Sequence, residues 1–368
     1  MKFRPLAGRL GAAFRTKAAL GMQPIAAPVM VFIPLGVLLS PNVTGVLSAN
    51  ALAHLDVVVS IALATLGVFI GIAAGREGRG TNRLFFASTV EAATTIVVVM
   101  AAVLVLLRYW LLPVDMSHLL IALALGVCAS ASAAPSVEIG DARRRHVATR
   151  VADLDDVMPI LLGGVVLALA SGGGRPPLLA AALTIGLGLS IGVCGWLLVE
   201  RSEGAERAVF VLGALALLGG APAYLGLSPL LAGMSAGFLW VVAPGHCDVI
   251  IARELRRVQH PLIVLVLIIS GAGLALSTAG VWLFAPYVIF RFAGKVLGGW
   301  TASRLAPGVT PSDLGAYLMS PGVIGVAFAL NLHQVVGETA APVVFAATVG
   351  AMACEALALA VIPDSRVA

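Results

Sequence analysis

Five ionisable residues sit where an apolar sequence should exclude them, and their types and spacing define a chemistry. The run Val151-Ala152-Asp153-Leu154-Asp155-Asp156-Val157 puts three carboxylates within four positions, and an apolar stretch follows at once. Farther on, Arg291 and Lys295 stand one helical turn apart inside another apolar stretch, and Lys295 is the only lysine beyond the N-terminal segment. Carboxylate oxygens accept a hydrogen bond, a proton or a hard metal cation. Burial and a neighbouring carboxylate both penalise an isolated negative charge. A carboxyl placed this way trades a proton for a cation, and two of them titrate as one unit.

Position along the helix separates bland readings from functional ones. Asp156 lies six residues beyond Arg150, about 9 Å into its segment at 1.5 Å per residue. Lys295 lies nine residues from Arg304, about 14 Å from that end. An unpaired charge at mid-membrane costs roughly 3 kcal/mol on insertion scales, so the five together would cost on the order of 10 kcal/mol if they faced lipid. Asp153 suits a helix start, where acids complement the dipole. Asp156 does not, because Pro159 and an apolar run follow it. For Arg291 a structural pairing is the favoured reading, and Lys295 is expected to meet a carboxylate. Sequence neighbours project about 100° apart, so Asp155 can pair with Lys295 while Asp156 opens onto an aqueous cavity. Glu91 and Glu355 are further buried candidates with no partner legible in the sequence.

The elements that must hold these groups are membrane helices. Of 368 residues 60% are hydrophobic and 11% charged, whereas soluble domains run about a quarter charged. Apolar segments of about 20 residues divide the chain into twelve spans. The third is near Arg83–Leu107, the fourth near Leu119–Ile139 and the fifth near Val147–Ser171. The tenth is near Val281–Ser303, the eleventh near Leu314–Leu332 and the twelfth near Ala340–Ile362. Basic residues cluster in alternate connections, among them Arg76, Arg83, Arg143, Arg144, Arg145, Arg150, Arg201, Arg207, Arg253 and Arg256. Nineteen of the 23 basic residues fall on one side and only Arg108 and Arg175 on the other. The positive-inside rule then places both termini in the cytoplasm.

The net charge of +5 is therefore a topology signal, and no nucleic-acid partner is expected. Residues 1–22 form a basic cytoplasmic segment, 23–363 the transmembrane domain and 364–368 a short tail. A cleaved leader is disfavoured, since the first span is long and eleven more follow. The four cysteines have no metal-ligand spacing, and no cofactor is expected. The string Gly186-Leu187-Gly188-Leu189-Ser190-Ile191-Gly192 has the wrong spacing for dinucleotide binding and suits close helix packing.

Two spans look broken. The fourth contains Cys128-Ala129-Ser130-Ala131-Ser132-Ala133-Ala134-Pro135 and the eleventh Met319-Ser320-Pro321-Gly322-Val323-Ile324-Gly325. Interrupted helices at matching places in two halves point to a transporter site. Freed carbonyls and the hydroxyls of Ser130 and Ser132 are candidate ion ligands there.

These residues resemble the monovalent cation/proton antiporter superfamily, the bacterial sodium/proton exchangers in particular. Asp155-Asp156-Val157 is similar to the paired-aspartate motif of that family's fifth core helix. Gly294-Lys295-Val296-Leu297-Gly298 is similar to the tenth-helix segment that bears its basic residue. Pro34-Leu35-Gly36-Val37-Leu38-Leu39-Ser40-Pro41 and Gly67-Val68-Phe69-Ile70-Gly71 resemble its first and second helices, and the likeness covers nearly the whole chain in the same order. The resemblance implies an all-α, inverted-repeat fold with crossed, unwound helices 4 and 11. It implies Asp156 as the main carrier of cation and proton, and Asp155 as the second carboxylate, bound to Lys295 in one state. A homodimer in the bacterial inner membrane, with a core sliding against a scaffold, follows from the same likeness. The fourth span lacks the Thr-Asp pair of some members, and Asp153 is an extra acid.

The resulting expectation is a secondary antiporter exchanging Na⁺, with Li⁺ or K⁺ as alternatives, for protons, and electrogenic on account of the paired aspartates and the lysine. A sodium-coupled organic-anion symporter on a related fold and a transport-inactive sensor or scaffold are the rivals. An intramembrane aspartyl protease needs aspartates on two helices, and here they share one.

Overall fold

The computed structural model describes residues 28–78, 82–110, 116–133, 142–171, 176–311 and 313–361. The expected segments 1–22 and 364–368, together with Pro135 and Arg175, lie outside the described residues. In chain order the helices are α1 (Pro28–Leu39), α2 (Ala49–Gly78), α3 (Asn82–Trp110), α4 (Met116–Ser130), α5 (Ala142–Leu154), α6 (Val157–Ala170) and α7 (Pro177–Arg201). They continue as α8 (Gly204–Tyr224), α9 (Pro229–Val242), α10 (Cys247–Ala272), α11 (Thr278–Leu305), α12 (Leu314–Tyr317), α13 (Val323–Val336) and α14 (Ala341–Val361), with a 3-10 turn at Gly337–Ala340.

The chain is a multi-pass membrane protein. Among the described residues six helices are long and apolar enough to cross a bilayer, or seven with α10 counted, and α1, α4 and α9 are shorter apolar helices. The twelve expected spans therefore do not map one for one onto long helices. One of the six, Val323–Ala360, runs 38 residues, about 57 Å if it were straight, against a hydrocarbon core of about 30 Å. It is two arms, α13 and α14, that meet at the 3-10 turn. Gly337 there takes φ +64°, a left-handed conformation that side chains with a Cβ rarely adopt.

The helices gather around separate apolar cores. One core draws on α3, α4, α6, α11, α13 and α14, with Val99, Leu125, Leu167, Tyr287, Phe328 and Val344 among its buried members. Another draws on α2, α7, α8, α9 and α10, around Ile72, Leu215, Trp240 and Ile251. A third, with Leu63, Leu66, Leu230 and Met234 on one side and Ile160, Ala327 and Leu330 on the other, is the seam between them.

In the second group α2 and α9 touch backbone to backbone. A Cβ on Gly67 would lie 2.0 Å from the Leu230 carbonyl oxygen, and one on Gly233 would lie 2.0 Å from that of Ala64. Gly71 and Gly237 repeat the pattern one turn on, against Met234 and Val68. Small residues four apart let membrane helices close to this distance, where dispersion rather than water exclusion holds them. The Gly186–Gly192 string serves the same purpose in part: a Cβ on Gly188 would meet the Ala232 oxygen at 2.4 Å.

Arginines assigned by sequence to one side do share one end of the structure. Arg76 pairs with Asp248 at 2.9 Å, Arg144 with Asp313 at 3.0 Å, and Arg150 with Glu77. Exposed pairs of this kind add little stability. They do join α2, α5, α10 and the α11–α12 connection at that end.

Candidate functional site: buried charges at three helix breaks

Two of the breaks were expected. Helix α4 ends at Ser130 and the chain continues non-helically through Ala131–Ala133, while Leu318–Gly322 separates α12 from α13. The breaks meet as a short antiparallel bridge between Ser132 and Pro321. Ala133 N–H donates to the Ser320 carbonyl at 3.0 Å, and Gly322 N–H donates to that of Ala131 at 3.1 Å. Each broken helix thus satisfies part of the other's freed backbone, which lipid cannot do.

The third break was not expected. The fifth span, read as continuous, divides into α5 and α6 with Asp155 and Asp156 in the turn between them. Pro159 is the physical reason. It has no N–H to return to the Asp155 carbonyl four residues back, so the hydrogen-bond ladder lapses at the acidic pair. Asp156 stands as the residue before α6, and its side chain makes no cap hydrogen bond.

Helix α11 supplies the positive charge. Glycines let it approach α3: a Cβ on Gly298 would fall 2.7 Å from the Glu91 carbonyl oxygen. That closeness brings the Glu91 carboxylate to Lys295. The Lys295 ammonium lies 3.1 Å and 3.2 Å from the two Glu91 oxygens and 3.1 Å from Asp155 Oδ2. It also donates to the Ser130 carbonyl at the end of α4. Lys295, Glu91 and Asp155 are all fully buried, and Thr95 donates to Glu91 at 3.2 Å. An ammonium has three protons to give, and here all three directions are used.

Arg291, one turn away and equally buried, meets no carboxylate within ion-pair distance among the described residues. Its guanidinium donates to the carbonyls of Ala129, Ala131 (3.2 Å) and Met319 (3.4 Å). The expected structural pairing is therefore with the negative carbonyl ends of both broken helices, a task that suits a planar fork of donors. Glu355 on α14 accepts from the Ser320 hydroxyl at the second break. Ser130 turns its own hydroxyl back to the Val127 carbonyl at 2.9 Å.

The remaining candidates divide by burial. Asp153 is exposed and stands outside the buried cluster. Asp156 does not open onto water in this structure; its residue is 7% exposed. Glu91, left without a partner by sequence reasoning, is the second counter-charge of Lys295. No sequence pattern links residues 91 and 295, although the glycines at 294 and 298 signal that some helix approaches α11 closely there.

What remains unsatisfied defines what the site lacks. Among the described residues, Asp155 Oδ1, Asp156 Oδ1, Ser132 Oγ and Arg291 Nε are buried without a hydrogen-bond partner. Ser132 sits beside Asp155. At the breaks, among the described residues, four buried carboxyls (Glu91, Asp155, Asp156 and Glu355) stand against two buried cations, Arg291 and Lys295; the remaining buried carboxyl, Glu77, is paired with Arg150 at the arginine-rich end. Among the described residues no group of three His, Cys, Asp or Glu side chains is placed to hold a metal ion.

No protein-family model matches this sequence, and no curated protein matches it. Among solved structures the chain is similar to the sodium proton antiporter MjNhaP1 from Methanocaldococcus jannaschii at pH 8, with a TM-score of 0.66. The identity is 13%, and the match covers 96% of this chain and 98% of that one. At that identity the likeness speaks for architecture. The two broken segments, the buried lysine and the acidic turn are accordingly carried on a fold that this chain shares, over almost its full length, with a sodium/proton antiporter.

Proposed function

We propose that the chain is a secondary active antiporter that exchanges a monovalent cation, Na⁺ above all with Li⁺ and K⁺ as the alternatives, for protons. The observation that carries this reading is the charge count at the helix breaks. Two buried cations face four buried carboxyls, and an uncompensated buried charge costs several kcal/mol. Ions that come and go, sodium or protons, must make up the difference. The free oxygens of Asp155 and Asp156 are where they go.

Asp156 is the main carrier in this mechanism and Asp155 the second carboxylate. In the present arrangement the Lys295 ammonium fills one side of Asp155. An arriving cation takes oxygens of Asp156 and Asp155, with Ser132 and carbonyls of the broken α4 as further donors, and displaces both the ammonium and any bound proton. Lys295 then leans on Glu91, which holds it in place while Asp155 is occupied. When the cation leaves, proton and ammonium return. Metal ion and proton exclude one another because they want the same lone pairs, and that exclusion couples the two fluxes.

Access alternates as the group built on α3, α4, α6, α11, α13 and α14 shifts along its seam with the α2–α9 scaffold. The dimer contact in this reading uses the outward apolar face of α7, where Leu178, Leu179, Leu183 and Leu197 are exposed. The membrane is a bacterial inner membrane with both termini cytoplasmic. The sodium/proton activity in the name of the structural neighbour supports the same assignment.

The test is Na⁺-driven dissipation of a preset ΔpH in proteoliposomes, followed with a pH-sensitive dye. Wild-type protein should collapse the gradient on Na⁺ addition, and Asp156→Asn should not. Flux at the wild-type level from Asp156→Asn would remove this carboxyl from the mechanism.

A further inference from the structure

Polar side-chain contacts reach across the seam between the two helix groups, and they stand at both of its ends. At the arginine-rich end Arg150 on α5 donates to the Glu77 carboxylate near the end of α2. At the opposite end Asn331 on α13 accepts from the Ser228 hydroxyl at 3.2 Å, and Ser228 also caps α9. Gln334, one turn on from Asn331, donates to the Asp56 backbone carbonyl on α2 at 3.3 Å. Asp56 and Glu77 are 21 residues apart on one helix, about 32 Å, close to the thickness of a hydrocarbon core. That separation is about six turns, so the two emerge on neighbouring flanks of α2. Between them the seam is apolar, with Leu63, Leu66 and Met234 against Ile160, Ala327 and Leu330.

Each contact joins helices of different groups. Helix α5 is packed into the group of α3 and α11: Ala148, Val151 and Ala152 lie with Ala87, Ala302 and Leu314 in one apolar cluster. The Ser88 hydroxyl on α3 donates to the Val151 carbonyl at 3.3 Å. A shift of that group along α2 therefore has to part Arg150 from Glu77 or Asn331 from Ser228, because a hydrogen bond is lost beyond about 3.5 Å. Leucine and methionine contacts between the two ends re-seat instead of breaking. With both ends held, Asp155 and Asp156 are buried.

We propose that these contacts are two latches that hold the seam shut at opposite mouths, Glu77–Arg150 at the arginine-rich end and Ser228–Asn331 with Asp56–Gln334 at the other. The inference rests on the exchange reading above and adds its gating: each mouth admits water only when its own latch parts. The Glu77 side chain is 10% exposed and that of Arg150 45%. Water entering that mouth solvates the carboxylate as the guanidinium leaves, so parting costs less than it would for a fully buried pair. Because α5 ends beside Asp155, the ionic latch also holds the helix that presents the acidic turn.

The reporters are Ala74→Cys and Val59→Cys, each one turn from a latch residue of α2 and buried at the seam. Full-length protein in mild detergent is treated with a charged, water-soluble methanethiosulfonate. Peptide mapping by mass spectrometry separates the reporter from the exposed Cys194. The modification rate then reads how often water reaches that mouth. Glu77→Gln and Arg150→Gln should each speed modification of Ala74→Cys about tenfold, between the worth of an exposed pair and of a buried one, and leave Val59→Cys unchanged. The two variants change local charge in opposite senses, so a lost latch is what accelerates both. Glu77→Gln/Arg150→Gln should be no faster than either alone. Asn331→Leu should speed Val59→Cys about fivefold, the worth of one hydrogen bond, and leave Ala74→Cys unchanged. No acceleration, acceleration by only one member of the ion pair, or equal acceleration of both reporters by one variant would overturn the latches. No ion gradient enters the measurement, so that failure is separate from failure of the exchange reading, which Asp156→Asn flux decides.

Discussion

Lys295 is held between two carboxylates, and a double-mutant cycle with Glu91 tests whether that arrangement is what the cluster depends on. The perturbation is Lys295→Met, which keeps the length of the side chain and deletes the ammonium. It leaves Asp155 and Glu91, both fully buried, without the group that sits 3.1 Å from each. Removing one partner of a buried ion pair costs about 3–5 kcal/mol, because the other charge stays buried and alone. Glu91→Gln by itself should cost about 1 kcal/mol or less, since Lys295 keeps Asp155 and the Ser130 carbonyl. The double variant has one stranded carboxylate where Lys295→Met has two. It should therefore be more stable than Lys295→Met, by about 1–3 kcal/mol of coupling between the sites. Thermal unfolding in detergent without Na⁺ reads the order of the variants. Na⁺ should raise the midpoint of Lys295→Met more than that of the wild type, because no ammonium competes for Asp155 and a ligand stabilises by mass action. Additive losses, with the double variant the least stable of the set, would refute the reasoning about buried charge.

Three further outcomes follow from placement. Asp153→Asn should leave Na⁺-dependent ΔpH dissipation near wild type, because Asp153 is exposed outside the cluster; a loss comparable to that of Asp156→Asn would bring it back into the site. Arg291→Lys should lower the unfolding temperature and slow exchange, since one ammonium cannot span the carbonyls of Ala129, Ala131 and Met319; unaltered stability would mean the broken ends do not need the fork. Gly233→Ala should destabilise by roughly 1–3 kcal/mol through overpacking, because the new Cβ meets backbone at 2.0 Å, whereas Gly220→Ala meets nothing within 4 Å; similar midpoints for the two would contradict the close crossing of α2 and α9.

The site was legible where charge broke an apolar pattern. Asp155, Asp156, Arg291 and Lys295 declared themselves because nothing in a bilayer tolerates them unpaired; helix geometry allows Asp155 a cation partner apart from Asp156, and the family resemblance implies that the partner is Lys295. Residues at 153 and 155 project about 200° apart, so burying one of them exposes the other, and the outward place of Asp153 was available from the same arithmetic. The break at Asp155–Asp156 had its signal in Pro159, which sequence reading noted only as a helix interior. Glu91 was different: its carboxylate is identifiable as buried, but its partner depends on how close α3 comes to α11, a tertiary distance that no local pattern encodes. Span counting suffered for the opposite reason. Hydropathy marks apolar residues whether or not they stay helical, so α4 with its extended continuation reads as one long segment. The rival symporter and sensor readings rested on fold-level analogy, which no single residue decides.

The crossing of α2 and α9 has a consequence for where this molecule is able to yield. Main chain lies against main chain at Gly67, Gly71, Gly233 and Gly237, with no rotamers between them to readjust, so the two helices behave as a dovetailed joint. Sliding there by even a fraction of a turn would drive carbonyl into carbonyl. The neighbouring face is built from leucine, isoleucine and methionine, whose side chains re-seat at low cost. In the exchange proposed above, compliance is thereby confined to one surface, and a bulky polar substitution on that leucine-rich face should slow exchange more than it lowers stability.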